Sequence, residues 1–207
     1  MIISLTGFMG CGKSSVGREL SQLLCCPFMD LDAEIEARTG CTIAEIFANS
    51  GEAEFRKLEK ETLKDVLETG GRVLEISPSS STPACKNQEH PSNERPQMIL
   101  ALGGGAVMTP ECEQIVHGQT VCVYLKASVE ELVARLSGES AGRPLLNTSS
   151  VMSSEVEISD LRSRILDLMS KRASTYERVA HLIIDTDGKT ITQIATEIVI
   201  SLLPERR

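Results

Sequence analysis

Five short apolar runs are spaced along the chain, and between them the apolar residues recur every three or four positions. The runs are Ile2–Leu5, Pro27–Asp32 with two acids at its end, Met98–Leu102, Val121–Leu125 and His181–Asp185. Runs of this length read as buried strands, and the longer periodic segments between them as helices. The first helix, Ser15–Leu24, carries a stripe at Val16, Leu20, Leu23 and Leu24. Ala33–Arg38 and Thr42–Asn49 are short; Glu52–Glu68 is longer, with Phe55, Leu58, Leu63, Val66 and Leu67 on one face. Pro110–Val116 follows Thr109 as a cap, with proline at the first helical position. Val129–Leu136, Glu155–Val179 and Ile191–Leu203 complete the set. Strands alternating with helices predict an α/β fold.

Two stretches break the pattern. Ser77–Gln97 contains no Ile, Leu, Val, Met, Phe, Trp or Tyr, but four of the eight prolines and five serines, and reads as a loosely ordered loop. Ser137–Ser154 is polar and carries one cation, Arg143, in the manner of a lid that closes over a ligand.

Among the helices, the stripe of Glu155–Val179 holds the first chemical clue. It runs Ile158, Leu161, Ile165, Leu168 and Met169, and then Arg172 takes a stripe position before Tyr176 and Val179. A buried unpaired charge is expensive, so Arg172 either leaves the core or faces an anion. Arg56 borders its own helix stripe near the first turn, where a cation opposes the helix dipole; it is tolerated there if exposed and points to a site if it faces an anion.

The candidate anion site lies near the start. The strand Ile2–Leu5 runs into Gly7-Phe8-Met9-Gly10-Cys11-Gly12-Lys13-Ser14, which fits G-x-x-x-x-G-K-[ST] and opens a helix. Gly10, Cys11, Gly12, Lys13, Ser14 and Ser15 are the residues expected to cradle the phosphates of ATP. Backbone N–H groups and the positive helix end face the anion. Lys13 reaches the outer phosphates and the Ser14 hydroxyl takes one position on Mg²⁺. Asp30 and Asp32 end the second strand, where alternation expects both on one side; Asp32 also suits the N-cap of the next helix. Gly103-Gly104-Gly105 ends the third strand and suits close approach of backbone to ligand.

Composition narrows the partners. A net charge of −8 speaks against nucleic acid, and requires that cations be gathered locally if a triphosphate is to bind. At 41% hydrophobic the chain of 207 residues can bury a core as one domain. No apolar run approaches a membrane span, and the early glycine loop leaves no room for a signal peptide. Seven cysteines, an odd number without C-x-x-C, argue against disulfides and zinc and for a reducing, cytoplasmic setting.

The ordered set of these pieces resembles the shikimate kinase family across nearly the whole chain. The resemblance is carried by Gly7–Ser14, Met29–Asp32, Ile35–Gly40, Gly51–Arg56, Gly103–Gly105, Arg143–Leu146 and Lys171–Ala173 with Tyr176. It implies a three-layer α/β sandwich with a five-stranded parallel sheet in order 2-3-1-4-5, of the P-loop, nucleoside-monophosphate-kinase-like kind, with a mobile lid. It implies one domain over 1–207, with substrate-binding helices at about 33–70, an insertion at about 77–97 and the lid at about 137–154. The implied activity is transfer of the ATP γ-phosphate to the 3-hydroxyl of shikimate, with Mg²⁺, by a monomer. The implied roles are Asp32 on the acceptor hydroxyls, Asp30 toward Mg²⁺ through water, and Arg56 and Arg172 on the acceptor carboxylate. Gly104 and Gly105 give it backbone contacts, Arg143 reaches the phosphates from the lid, and Arg135 lies near the adenine. The lengthened connection at Ser77–Gln97 departs from the family's usual short one. Other P-loop kinases share Lys13 and Ser14 without needing the two arginines. A nucleotide switch would need more than Asp185-Thr186-Asp187-Gly188, which fits D-x-x-G far from the loop.

Overall fold

The computed structural model describes residues 1–70, 96–137 and 155–202, with side chains in the last segment from residue 158 on. The expected lid at about 137–154, apart from Ser137 and including Arg143, and the expected insertion at about 77–97, apart from Pro96 and Gln97, lie outside the described residues.

Five parallel strands form one sheet in the order β2-β3-β1-β4-β5. Strand β1 (Ile2–Thr6) is buried along its whole length because it pairs on both sides: Ile3 with Ile99 of β3 (Met98–Ala101) and with Val121 of β4 (Val121–Lys126). Strand β5 (Leu182–Asp185) and strand β2 (Phe28–Asp30) are the edges. Helices α1 (Lys13–Leu24) and α7 (Ile191–Leu202) pack together on one face. The other carries α4 (Pro110–Gln119) and α6 (Glu155–Val179), with α5 (Val129–Ser137) against α6. This gives three layers, and β1, β2 and β3 all end at the same side of the sheet, where parallel α/β folds bind ligands.

Several local expectations need correction. Strand β2 stops at Asp30, and α2 (Leu31–Thr39) begins immediately. Asp30 is the N-cap, accepting from the Asp32 N–H at 3.1 Å, so the cap is not Asp32 and the two acids do not alternate along a strand. They are brought together by a helix start instead, which places a cap and a first-turn residue on the same end. The helices expected at Thr42–Asn49 and Glu52–Glu68 join as α3 (Ile43–Thr69), bent where Gly51 leaves helical geometry at φ 77° and ψ 175°. Thr42 and Glu45 start it as a reciprocal capping box. Thr109 holds the N-cap position of α4, yet its side chain makes no cap bond. Two stripe residues, Leu23 and Ile158, sit in solvent. Among the described residues no helix is long and apolar enough to cross a membrane.

Candidate active site

The glycine loop between β1 and α1 turns through left-handed geometry at Gly10 (φ 81°) and Gly12 (φ 97°), positions a side chain rarely adopts. Helix α1 then starts without a side-chain cap and with no acid in its first turn, so its leading N–H groups are left for an anion. Lys13 folds back over the loop, its Nζ donating to the carbonyls of Gly7 at 3.0 Å and Phe8 at 3.1 Å. Ser14 Oγ donates to Asp30 Oδ2 at 2.5 Å, joining the loop to the end of β2.

Asp32 lies beside this pair. Burial raises its pKa above the ordinary carboxylate value, and Asp30 adds to the rise while Lys13 and Arg56 oppose it. Arg56, on α3 after the Gly51 bend, is held by two acids: Nη1 donates to Glu59 Oε2 at 2.7 Å, and Nη2 lies 3.1 Å from Glu52 Oε1. Its guanidinium also sits 5.2 Å from the Phe55 ring centre.

The glycine run after β3 is squeezed among these groups. A Cβ on Gly103 would meet Asp32 Oδ1 at 2.7 Å and Glu59 Oε1 at 2.8 Å, and one on Gly105 would meet Arg56 Nη2 at 2.4 Å. From the opposite side Arg172 Nη1 donates to the Gly104 carbonyl at 3.4 Å, and Tyr176 donates its hydroxyl to the same oxygen. Arg172 has no carboxylate within ion-pair distance among the described residues, which leaves its charge for a ligand.

Among these groups lies one cleft of about 390 Å³. It brings together Gly10, Gly12, Lys13, Ser14, Ser15, Asp30, Asp32, Arg56, Gly104, Gly105 and Arg172. Ile43, Phe47 and Phe55 form its apolar wall. The cleft thus offers a phosphate cradle, a carboxylate between the two ends, and two guanidinium groups beside an apolar surface. Such a site suits transfer of a phosphoryl group to a small anionic alcohol.

Comparison with known proteins agrees. The family model for shikimate kinase matches residues 9–90 and 86–203. A shikimate kinase of Thermus thermophilus is 34% identical over 197 residues, spanning 95% of this chain and 87% of that one. One from Bordetella pertussis is 36% identical over 203 residues, spanning 98% and 77%. The solved shikimate kinase from Acinetobacter baumannii in complex with shikimate superposes with a TM-score of 0.76 at 30% identity, covering 98% of this chain and 92% of that one. The chain belongs to the shikimate kinase family. The sheet order expected from that resemblance is the one observed.

In this shikimate kinase family member, two expected site residues lie away from the cleft. Cys11 is buried under the loop, with its sulfur 4.0 Å from Lys13 Nζ. Arg135, on α5, grips the loop from behind: Nη1 donates to the Cys11 carbonyl at 3.3 Å and Nη2 to the Thr186 carbonyl at 3.2 Å. Arg143 lies outside the described residues.

The structure also adds Glu59. It is 1% exposed, and its Oε1 has no hydrogen-bond partner among the described residues. Burial pushes its pKa up to about 7, with Arg56 pulling the other way. A signal for it existed in the sequence: Glu59 stands between Phe55 and Leu63 at four-residue spacing, an acid on the apolar stripe. The same reasoning that singled out Arg172 applies to it. Finally, the cleft is not simply electropositive. Lys13, Arg56 and Arg172 share it with Asp30, Asp32, Glu36 and Glu59, so the gathered cations come with acids that hold them.

Proposed function

We propose that this chain transfers the γ-phosphoryl group of ATP to the 3-hydroxyl of shikimate, giving shikimate 3-phosphate and ADP in the route to aromatic amino acids. The observation that carries this reading is that Asp32, Arg56 and Arg172 face the same cleft as Lys13 and the glycine loop. Arg56 and Arg172 bind the shikimate carboxylate, a match for guanidinium donors. Gly104 and Gly105 add backbone contacts there, and the apolar wall takes the ring. Asp32 holds the acceptor hydroxyl. A bond forms between that oxygen and the γ-phosphorus as the bridge to the β-phosphate breaks, and the hydroxyl proton passes to the Asp32 carboxylate. Its raised pKa suits it to accept that proton. Lys13 and the loop N–H groups offset the charge that builds on the phosphoryl oxygens.

The donor set at the loop fits Mg²⁺. Ser14 Oγ and the Asp30 carboxylate are hard oxygen donors, already in contact, at the start of α1. Ser14 would hold the ion directly and Asp30 through water, and when bound the ion neutralises phosphate charge. Arg143 would join the phosphates from the lid, and Arg135 fixes the loop from its outer side and borders the adenine. The domain is a single one over 1–207, with substrate helices at about 33–70. We infer a cytoplasmic monomer as well, a setting supported by the free thiols of Cys11, Cys25, Cys26, Cys41, Cys112 and Cys122.

The test is ATP consumption by the purified chain on addition of shikimate, with nucleoside monophosphates as the comparison. Turnover with shikimate alone is expected. Asp32→Asn and Arg56→Ala should each lower kcat/KM for shikimate by at least about a hundredfold while ATP binding survives. Near-normal rates in both variants would overturn the site assignment.

A further inference from the structure

Tyr176 is fully buried, and its ring packs at 5.2 Å against Tyr124 of β4, tilted by 30°. Its hydroxyl donates to the carbonyl of Gly104, one helical turn from Arg172, which donates to the same oxygen. That carbonyl belongs to the peptide joining Gly104 to Gly105, and no peptide bond among the described residues is cis. In a trans peptide the N–H points opposite to the C=O. With the carbonyl drawn toward α6, the Gly105 N–H is turned away from α6, and it has no acceptor among the described residues. The neighbouring Gly105 α-carbon lies against the Arg56 guanidinium. A glycine peptide has few steric restraints of its own, so something outside it must fix its plane. The buried phenol, itself immobilised by the core, is suited to that task.

We propose that Tyr176 is a positioning residue for the acceptor site: its hydroxyl fixes the plane of the Gly104–Gly105 peptide, and so orients the backbone donor and the Arg172 guanidinium that meet the acceptor's carboxylate. This rests on the reading of the site as one that binds shikimate. Wild-type turnover with shikimate tests that reading separately from the role of Tyr176. Among the described residues the Tyr176 hydroxyl is hydrogen-bonded at the Gly104 carbonyl that it shares with Arg172, so its loss should act on acceptor binding more than on the nucleotide.

The experiment uses the full chain as wild type, Tyr176→Phe and Tyr124→Phe. Tyr176→Phe keeps the ring and removes one hydrogen bond. It should raise the KM for shikimate about three- to tenfold, with the KM for ATP within about twofold of wild type. Tyr124→Phe should leave both within about twofold. An unchanged shikimate KM in Tyr176→Phe, or shikimate and ATP values rising together as general loosening would make them, overturns the proposal. A second readout needs no variant at position 176. The chain has only two tyrosines, so 3-fluorotyrosine labelling gives two fluorine signals, which Tyr124→Phe assigns. The Tyr176 signal should shift saturably on titration with shikimate in the absence of nucleotide. A Tyr176 signal that stays in place at saturation overturns the proposal.

Discussion

At the scale of single residues, Glu59 governs a measurable property. In the unfolded chain it releases its proton near the ordinary value of 4.5, whereas burial holds the proton on up to about pH 7 in the fold. Between those values the folded state binds more protons than the unfolded one, so this group makes stability fall as pH rises from about 4.5 to about 7. Asp32, also raised, contributes with the same sign. Glu59→Gln should therefore flatten, without abolishing, the decline of Tm across that range in the ligand-free protein. Thermal unfolding of both proteins at half-unit pH steps checks this; parallel curves would show that Glu59 is not the group responsible. The residue was within reach of the sequence, since it occupies a stripe position on α3. It was missed because a stripe is found by its apolar letters, and an acid within it reads as a gap. Asp32 shows the converse. It was expected in the cleft, and it lines it, but by way of a helix start rather than strand alternation.

Among the elements, those with several periods of pattern were legible. Helix α6 begins and ends at the expected residues, and β3 and β4 fall within one residue of theirs. Strand β2 was not, because three residues carry no period, and the Asp30 cap cuts it off before alternation can continue. The turn after β3 offers the sharpest test of how elements meet. A methyl group on Gly105 would occupy the space of the Arg56 guanidinium, which is the far end of a flexible side chain. Arg56 can swing aside, so Gly105→Ala should lower Tm less than a clash with backbone would, the cost being the lost bond to the buried Glu59. The swing takes it from its place beside Glu59, and shikimate affinity should fall about tenfold or more. Gly7 is the contrast. There a methyl group would meet the backbone carbonyl of Leu125 at 2.6 Å with φ at 140°, and neither can give way. Gly7→Ala should lower Tm by several degrees as well as reduce activity. Thermal unfolding set beside shikimate titration separates the two outcomes. Equal Tm losses in both variants would count against this account.

For the whole molecule, sheet order was not legible from periodicity. Which strand lies beside which depends on contacts distant in sequence, and it was the family resemblance that implied the order seen. The insertion was visible as a loss of apolar residues, and the family model matches on both sides of it, with its two segments meeting at residues 86–90. The charge balance is the remaining global feature. A chain of net charge −8 places Asp30 and Asp32 where a triphosphate must enter. Two like charges 4 Å apart cost about 4 kcal/mol at an effective dielectric of about 20, close to a thousandfold in affinity. A divalent ion between Ser14, Asp30 and the phosphates would remove that opposition. On the proposed reading Arg56 and Arg172 serve the acceptor, and neither is bonded to Ser14 or Asp30. Chelation of Mg²⁺ should therefore abolish turnover and weaken ATP binding at least tenfold, while shikimate binding stays within about twofold. Calorimetric titration of each substrate with and without chelator reads this directly. Were shikimate affinity to fall in step with that of ATP, the two ends of the cleft would have to be coupled through the metal, and the division of labour argued from Asp30 and Arg56 would be wrong.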